Sequence, residues 1–126
     1  MVLESPYAGN VEANVAYARA AVRDSLRGES PIASHLLYTQ PGILSDGVPD
    51  ERQLGIEAGL AWRFVAEASV VYQDLGITPG MRRGIEAAET AGIPVEYRNL
   101  ASFRTQKGRS KVAARPLGDV VIHVAD

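Results

Sequence analysis

The chain has 126 residues, no cysteine and a formal net charge of −2 at pH 7. That length fits one domain, the missing cysteines exclude disulfides, thiolate metal sites and a cysteine nucleophile, and the charge gives no global case for nucleic acid or an anionic membrane. With 46% hydrophobic and 22% charged residues the chain is too apolar for disorder, and its start lacks the basic region and long apolar run of a signal peptide. No stretch approaches the ~20 apolar residues that span a bilayer, so a soluble, cytoplasmic protein is expected.

Met1 to Leu3 reads as a short first strand that ends in the turn formers Ser5-Pro6-Tyr7-Ala8-Gly9-Asn10. Val11, Val15, Ala18, Val22 and Leu26 then recur at three- and four-residue steps, which predicts a helix capped by Asn10 and closed by Gly28. Pro31 to Ser34 predicts a second strand, with His35 to Tyr38 running into a loop. A second helix is expected to start near Pro49-Asp50-Glu51, since proline and acidic residues suit a first helical turn. Leu54, Ala58, Ala61, Trp62 and Val65 would be its buried side.

Ala68 to Tyr72 is the clearest strand, rich in β-branched residues. The loop Gln73 to Gly80 leads into a third helix in which Met81, Ile85 and Ala88 face inward and Gly92 closes the end. Ile93 to Tyr97 supplies a fourth strand, and Asp119 to Val124 reads as a last one. The division is an α/β domain over residues 1–100 and a C-terminal tail over 101–126, whose Arg104, Lys107, Arg109, Lys111 and Arg115 make it basic. Strands alternating with helices imply a mainly parallel sheet of four or five strands.

In such sheets ligands bind beyond the carboxyl ends of the strands. That rule selects three loops, which offer Ser5 and Tyr7, then Ser34 and His35, then Asp74 and Thr78 with Gly80 and Met81 at a helix start. A helix N-terminus can hold an anion, although no P-loop and no GxGxxG is present. Glu57 stands between Gly55 and Gly59, small neighbours that let a ligand or backbone come close. No metal-binding spacing occurs, and there is no GxSxG nucleophile elbow.

Several short segments resemble the nucleoside 2-deoxyribosyltransferase-like superfamily, in particular a small branch found in phages and bacteria. They are Leu3-Glu4-Ser5-Pro6-Tyr7-Ala8-Gly9, Ala33-Ser34-His35-Leu36, Tyr72-Gln73-Asp74-Leu75-Gly76-Ile77-Thr78-Pro79-Gly80-Met81 and Gly92-Ile93-Pro94-Val95. The resemblance implies a single three-layer domain of flavodoxin-like or Rossmann-like type, a nucleoside or nucleotide site, no cofactor, and a homo-oligomer. It also implies chemistry at the N-glycosidic bond, as hydrolysis or deoxyribosyl transfer. In that pattern a glutamate attacks C1′, a tyrosine orients it, and an acid near the third strand handles the base. Tyr7 and Asp74 match the tyrosine and the acid.

The glutamate of the pattern falls on Gly84 here. Glu86 lies two residues on, about 200° around the helix, and Glu57 belongs to the neighbouring helix. Three readings follow: a different register that uses Glu86, a transfer of the role to Glu57, or no displacement at all. The last of these describes a non-catalytic module that sequesters or senses a nucleotide.

Overall fold

A computed structural model describes residues 1–100 of the chain. The expected last strand and the basic stretch of the tail lie outside the described residues. In chain order the elements are β1 (Val2–Glu4), α1 (Val11–Ser25), α2 (Ser34–Leu37), α3 (Pro49–Ala61) with a 3₁₀ turn at Trp62–Phe64, β2 (Ser69–Tyr72), α4 (Pro79–Ala91) and β3 (Val95–Arg98).

Among the described residues the sheet has three parallel strands in the order β1-β2-β3, with Leu3 opposite Val70 and Val71 opposite Tyr97. Within the described residues this stands in place of the expected four or five strands, the last of which lies outside them. The segment expected as the second strand contributes one parallel bridge, Val2 to Ile32. Pro31 has no N–H to give a ladder, and the chain turns into α2 at Ser34. The alternating parallel α/β arrangement is consistent with a flavodoxin-like or Rossmann-like domain.

Side chains alternate across a strand, and the core divides accordingly. Leu3, Val70 and Tyr72 pack with Tyr17, Ala21 and Leu100 on the α1 side. Val71 packs with Met81 and Ile85 on the α4 side. Glu4, one residue on from Leu3, therefore faces α4.

Two helix faces differ from expectation. On α1 the expected Ala18 is buried and Val22 packs against the core, but Tyr17, Ala21 and Ser25 are buried with them, while Val11 and Leu26 are exposed. The Tyr17 hydroxyl reaches Asp74 just beyond the carboxyl end of β2, which sets the rotation of the helix. On α3 Leu54 is 56% exposed, and Val65 beyond it 76%. That helix turns Gly55 and Gly59 inward instead, against Leu44 and Ser34. Helix α4 follows the expected pattern, with Met81, Gly84, Ile85 and Ala88 buried and Gly92 left-handed at its end. Among the described residues, no helix is long and apolar enough to cross a membrane.

Candidate functional site

A cavity of about 430 Å³ opens beyond the carboxyl end of β1, between the loop that follows it, α2, α3 and the start of α4. The β1 loop is held by Asn14, whose side-chain amide donates to the carbonyls of Tyr7 (3.0 Å) and Ala8 (3.1 Å). Helix α1, capped by Asn10, thereby fixes the loop that carries Tyr7.

On one wall Ser5 Oγ and His35 Nε2 share a hydrogen bond of 2.7 Å. The Tyr7 ring stands edge-on to the imidazole, with centroids 6.5 Å apart and planes at 80°. Burial lowers the His35 pKa from 6.5 to about 4, so the ring is neutral at pH 7. Neighbouring Ser34 sits against Gly59, where a Cβ would lie 2.8 Å from Ser34 Oγ. The helix pair α2–α3 is tied a turn further along by the Trp62 indole N–H, which donates to the Tyr38 hydroxyl at 2.9 Å.

The opposite wall is the first turn of α4. Thr78 caps it by accepting from the Met81 N–H at 3.2 Å, and Pro79 at the helix start has no N–H to satisfy. Gly80 and Arg83 line the cavity beside it, as does Met81, whose side chain also belongs to the core.

The inner side of the cavity holds a charged pair that the sequence reading missed. Glu4 Oε2 meets Arg63 Nη2, and both residues are buried, at 6% and 3% exposure. Arg63 Nη1 also donates to the Gly59 carbonyl, while its Nε has no hydrogen-bond partner among the described residues. Burial pushes the guanidinium down to about 10, which leaves it charged at neutral pH. Both residues lie against Gly84 of α4: a Cβ there would be 2.5 Å from Glu4 Cδ and 2.8 Å from Arg63 Nη2.

Of the residues singled out from the sequence, Ser5, Tyr7, Ser34, His35, Thr78, Gly80 and Met81 all line this cavity. Asp74, Glu57 and Glu86 do not. Glu57 and Glu86 are exposed on the outer faces of α3 and α4. The Asp74 carboxylate is occupied elsewhere: it accepts from the Tyr17 hydroxyl at 2.5 Å, from Asn99 Nδ2 at 2.7 Å and from the Leu100 N–H at 2.8 Å. It joins α1, the end of β2 and the chain after β3. Among the described residues, no group of three or more His, Asp or Glu side chains stands close enough to hold a metal ion.

Two signals for the missed pair were present in the sequence. Arg63 interrupts the apolar run from Leu60 to Val65. Gly84 takes an inward position in a helix where glycine costs about 1 kcal/mol relative to alanine, a mark of close approach by something else.

The family model described as "Domain of unknown function (DUF7768)" matches residues 1–98. The chain belongs to this family. The match covers every element of the fold and every residue of the cavity. Neither the curated proteins nor the solved structures contain a match.

Proposed function

We propose that the cavity binds a nucleoside or nucleotide and that the protein acts on its N-glycosidic bond, the chemistry implied by the resemblance to the nucleoside 2-deoxyribosyltransferase-like superfamily. The observation that carries this reading is the make-up of the cavity. Its volume, about 430 Å³, falls in the range of small-molecule sites, roughly 300–1,000 Å³. The Tyr7 and His35 rings offer an aromatic wall for a base. The start of α4 with Arg83 suits a phosphate, through its first-turn N–H groups and a cation.

A second reading is favoured by one specific observation. The acid and both glutamates nominated from the sequence, Asp74, Glu57 and Glu86, stay outside the cavity, and Gly84 has no side chain to offer. A protein that binds a nucleotide without cleaving it meets that description.

One experiment separates the two. The protein is incubated with a panel of ribo- and deoxyribonucleosides and their monophosphates, free base is followed by chromatography, and binding by the shift in thermal midpoint. The first reading expects both a shift and released base. A shift without release supports the binding module, and neither signal across the panel overturns the nucleotide reading as a whole.

A further inference from the structure

The geometry points to Glu4 as the carboxylate that acts on the ligand in this cavity, held by Arg63 in the volume that a side chain at position 84 would otherwise fill. The inference rests on the nucleoside reading above and adds the catalytic residue that the reading lacks.

Three independent observations lead there. First, Glu4 is the last residue of β1, and in parallel sheets the strand ends at the carboxyl side are where ligands meet the protein. Second, the pair with Arg63 is buried yet lines the cavity. A buried ion pair is a poor stabiliser, because desolvation of both ions offsets their attraction and an apolar pair of similar volume often serves the fold as well. Its presence beside a cavity therefore points to use of the charge. Glu4 Oε2 is the oxygen engaged with Arg63, which leaves Oε1 for a ligand. Third, α4 gives up a side chain to admit the pair. Position 84 is buried and helical, and a Cβ there would overlap the Glu4 carboxylate. The carboxylate on β1 and the bare glycine on α4 are thus two halves of one arrangement: the negative charge comes from the strand, and the helix makes room.

The chemistry needs a carboxylate at such a place. When the C1′–N bond of a nucleoside breaks, its electron pair leaves with the base nitrogen and positive charge develops on C1′ and the ring oxygen. A buried carboxylate beside C1′ stabilises that charge. Water adds its oxygen to C1′, and the proton it loses ends on the departing base. Glu4 is unchanged at the close of the cycle, so no co-reactant other than water is required.

The test compares the wild-type chain with Glu4→Gln and with a relocated variant, Glu4→Ala combined with Gly84→Glu, which moves the carboxylate from strand to helix within the same volume. Base release and the thermal shift are measured on the same nucleoside panel. Glu4→Gln is expected to slow release by about 100-fold or more, the scale of losing one preorganised charge contact, while the half-saturating nucleoside concentration changes little. The relocated variant is expected to release base faster than Glu4→Gln. Should Glu4→Gln fail to fold, the relocated variant is compared with Glu4→Ala alone, both showing wild-type circular dichroism. Release lost in Glu4→Ala and regained with the relocated carboxylate supports the proposal, and wild-type release from Glu4→Ala overturns it. Wild-type release rates in a folded Glu4→Gln variant overturn the role of Glu4 and leave the nucleoside reading standing. Binding without release in the wild type overturns the catalytic role. No binding at all removes the nucleoside reading and this inference with it.

Discussion

The Tyr17 hydroxyl donates to the Asp74 carboxylate at 2.5 Å and accepts from the Asp74 backbone N–H at 3.0 Å, so two residues 57 positions apart close a two-bond ring beyond the carboxyl end of the central strand β2. With Asn99 and the Leu100 N–H on the same carboxylate, Asp74 fastens α1 and the chain after β3 to the end of β2. Burial first, and the Asp74 bond second, hold the Tyr17 phenol well above its ordinary pKa.

Asp74 is accordingly expected to act on stability. Asp74→Ala strands a buried phenol and a backbone donor, and the expected loss is about 2–4 kcal/mol. A cycle of Tyr17→Phe and Asp74→Asn, measured by urea unfolding, should give a coupling of about 1 kcal/mol or more, as residues in one hydrogen-bond network do. Additive effects would show that the ring contributes nothing.

Gly84→Ala introduces one methyl group against Glu4 and Arg63. The higher helix propensity of alanine would stabilise α4 by up to about 1 kcal/mol at an open site. Here overpacking should win and cost about 1–3 kcal/mol net. The same substitution in a Glu4→Ala background should be far less harmful. Denaturant midpoints of the three variants check this, and equal costs in both backgrounds would contradict the contact.

His35 makes stability depend on pH. Its folded-state pKa, about 4, lies below the ordinary 6.5, so between those values the unfolded chain binds a proton that the folded chain refuses. The contribution is complete above about pH 6.5 and declines as pH falls toward 4, with a slope of up to about 1.4 kcal/mol per pH unit from one proton. His35→Gln should flatten the urea-unfolding profile across that window. An unchanged profile would place the acid sensitivity elsewhere.

Most of the fold could be read from local pattern. The helix start at Pro49, the α4 stripe of Met81, Ile85 and Ala88, and the β-branched strand β2 each follow from residues close in sequence. The failures are where tertiary contacts outweighed that pattern. Val11, Val15, Ala18, Val22 and Leu26 outlined a stripe on α1, and Ala18 and Val22 do face the core. The Tyr17 hydroxyl bonds Asp74, however, so Tyr17, Ala21 and Ser25 are buried with them, and Val11 and Leu26 are left exposed. Ile32 lay in a short apolar segment, but Pro31 before it and the helix start at Ser34 after it left room for one bridge.

The cavity was legible in outline because the strand-end rule depends on topology alone, and it located Ser5, Tyr7, Ser34, His35 and the α4 start. Its charges were not legible. Glu4 and Arg63 are 59 positions apart, and what joins them is the alternation along a three-residue strand together with a glycine on a third element. Asp74 carries the opposite lesson. An acid just past a buried strand is a fair functional candidate, and here three donors on neighbouring segments occupy it.

Binding of a nucleoside or nucleotide in this cavity is decided by calorimetric titration of the wild-type chain and a cavity-filled variant. Gly55 lines the cavity, and a side chain there first meets the movable end of Leu44, so Gly55→Phe should fold and occupy the space. The expected result is heat of binding for at least one nucleoside or monophosphate in the wild type and its loss in Gly55→Phe, with both proteins giving the same far-ultraviolet circular dichroism. Equal binding by the two proteins would contradict the location of the site, and no binding by the wild type would contradict a nucleoside or nucleotide site altogether.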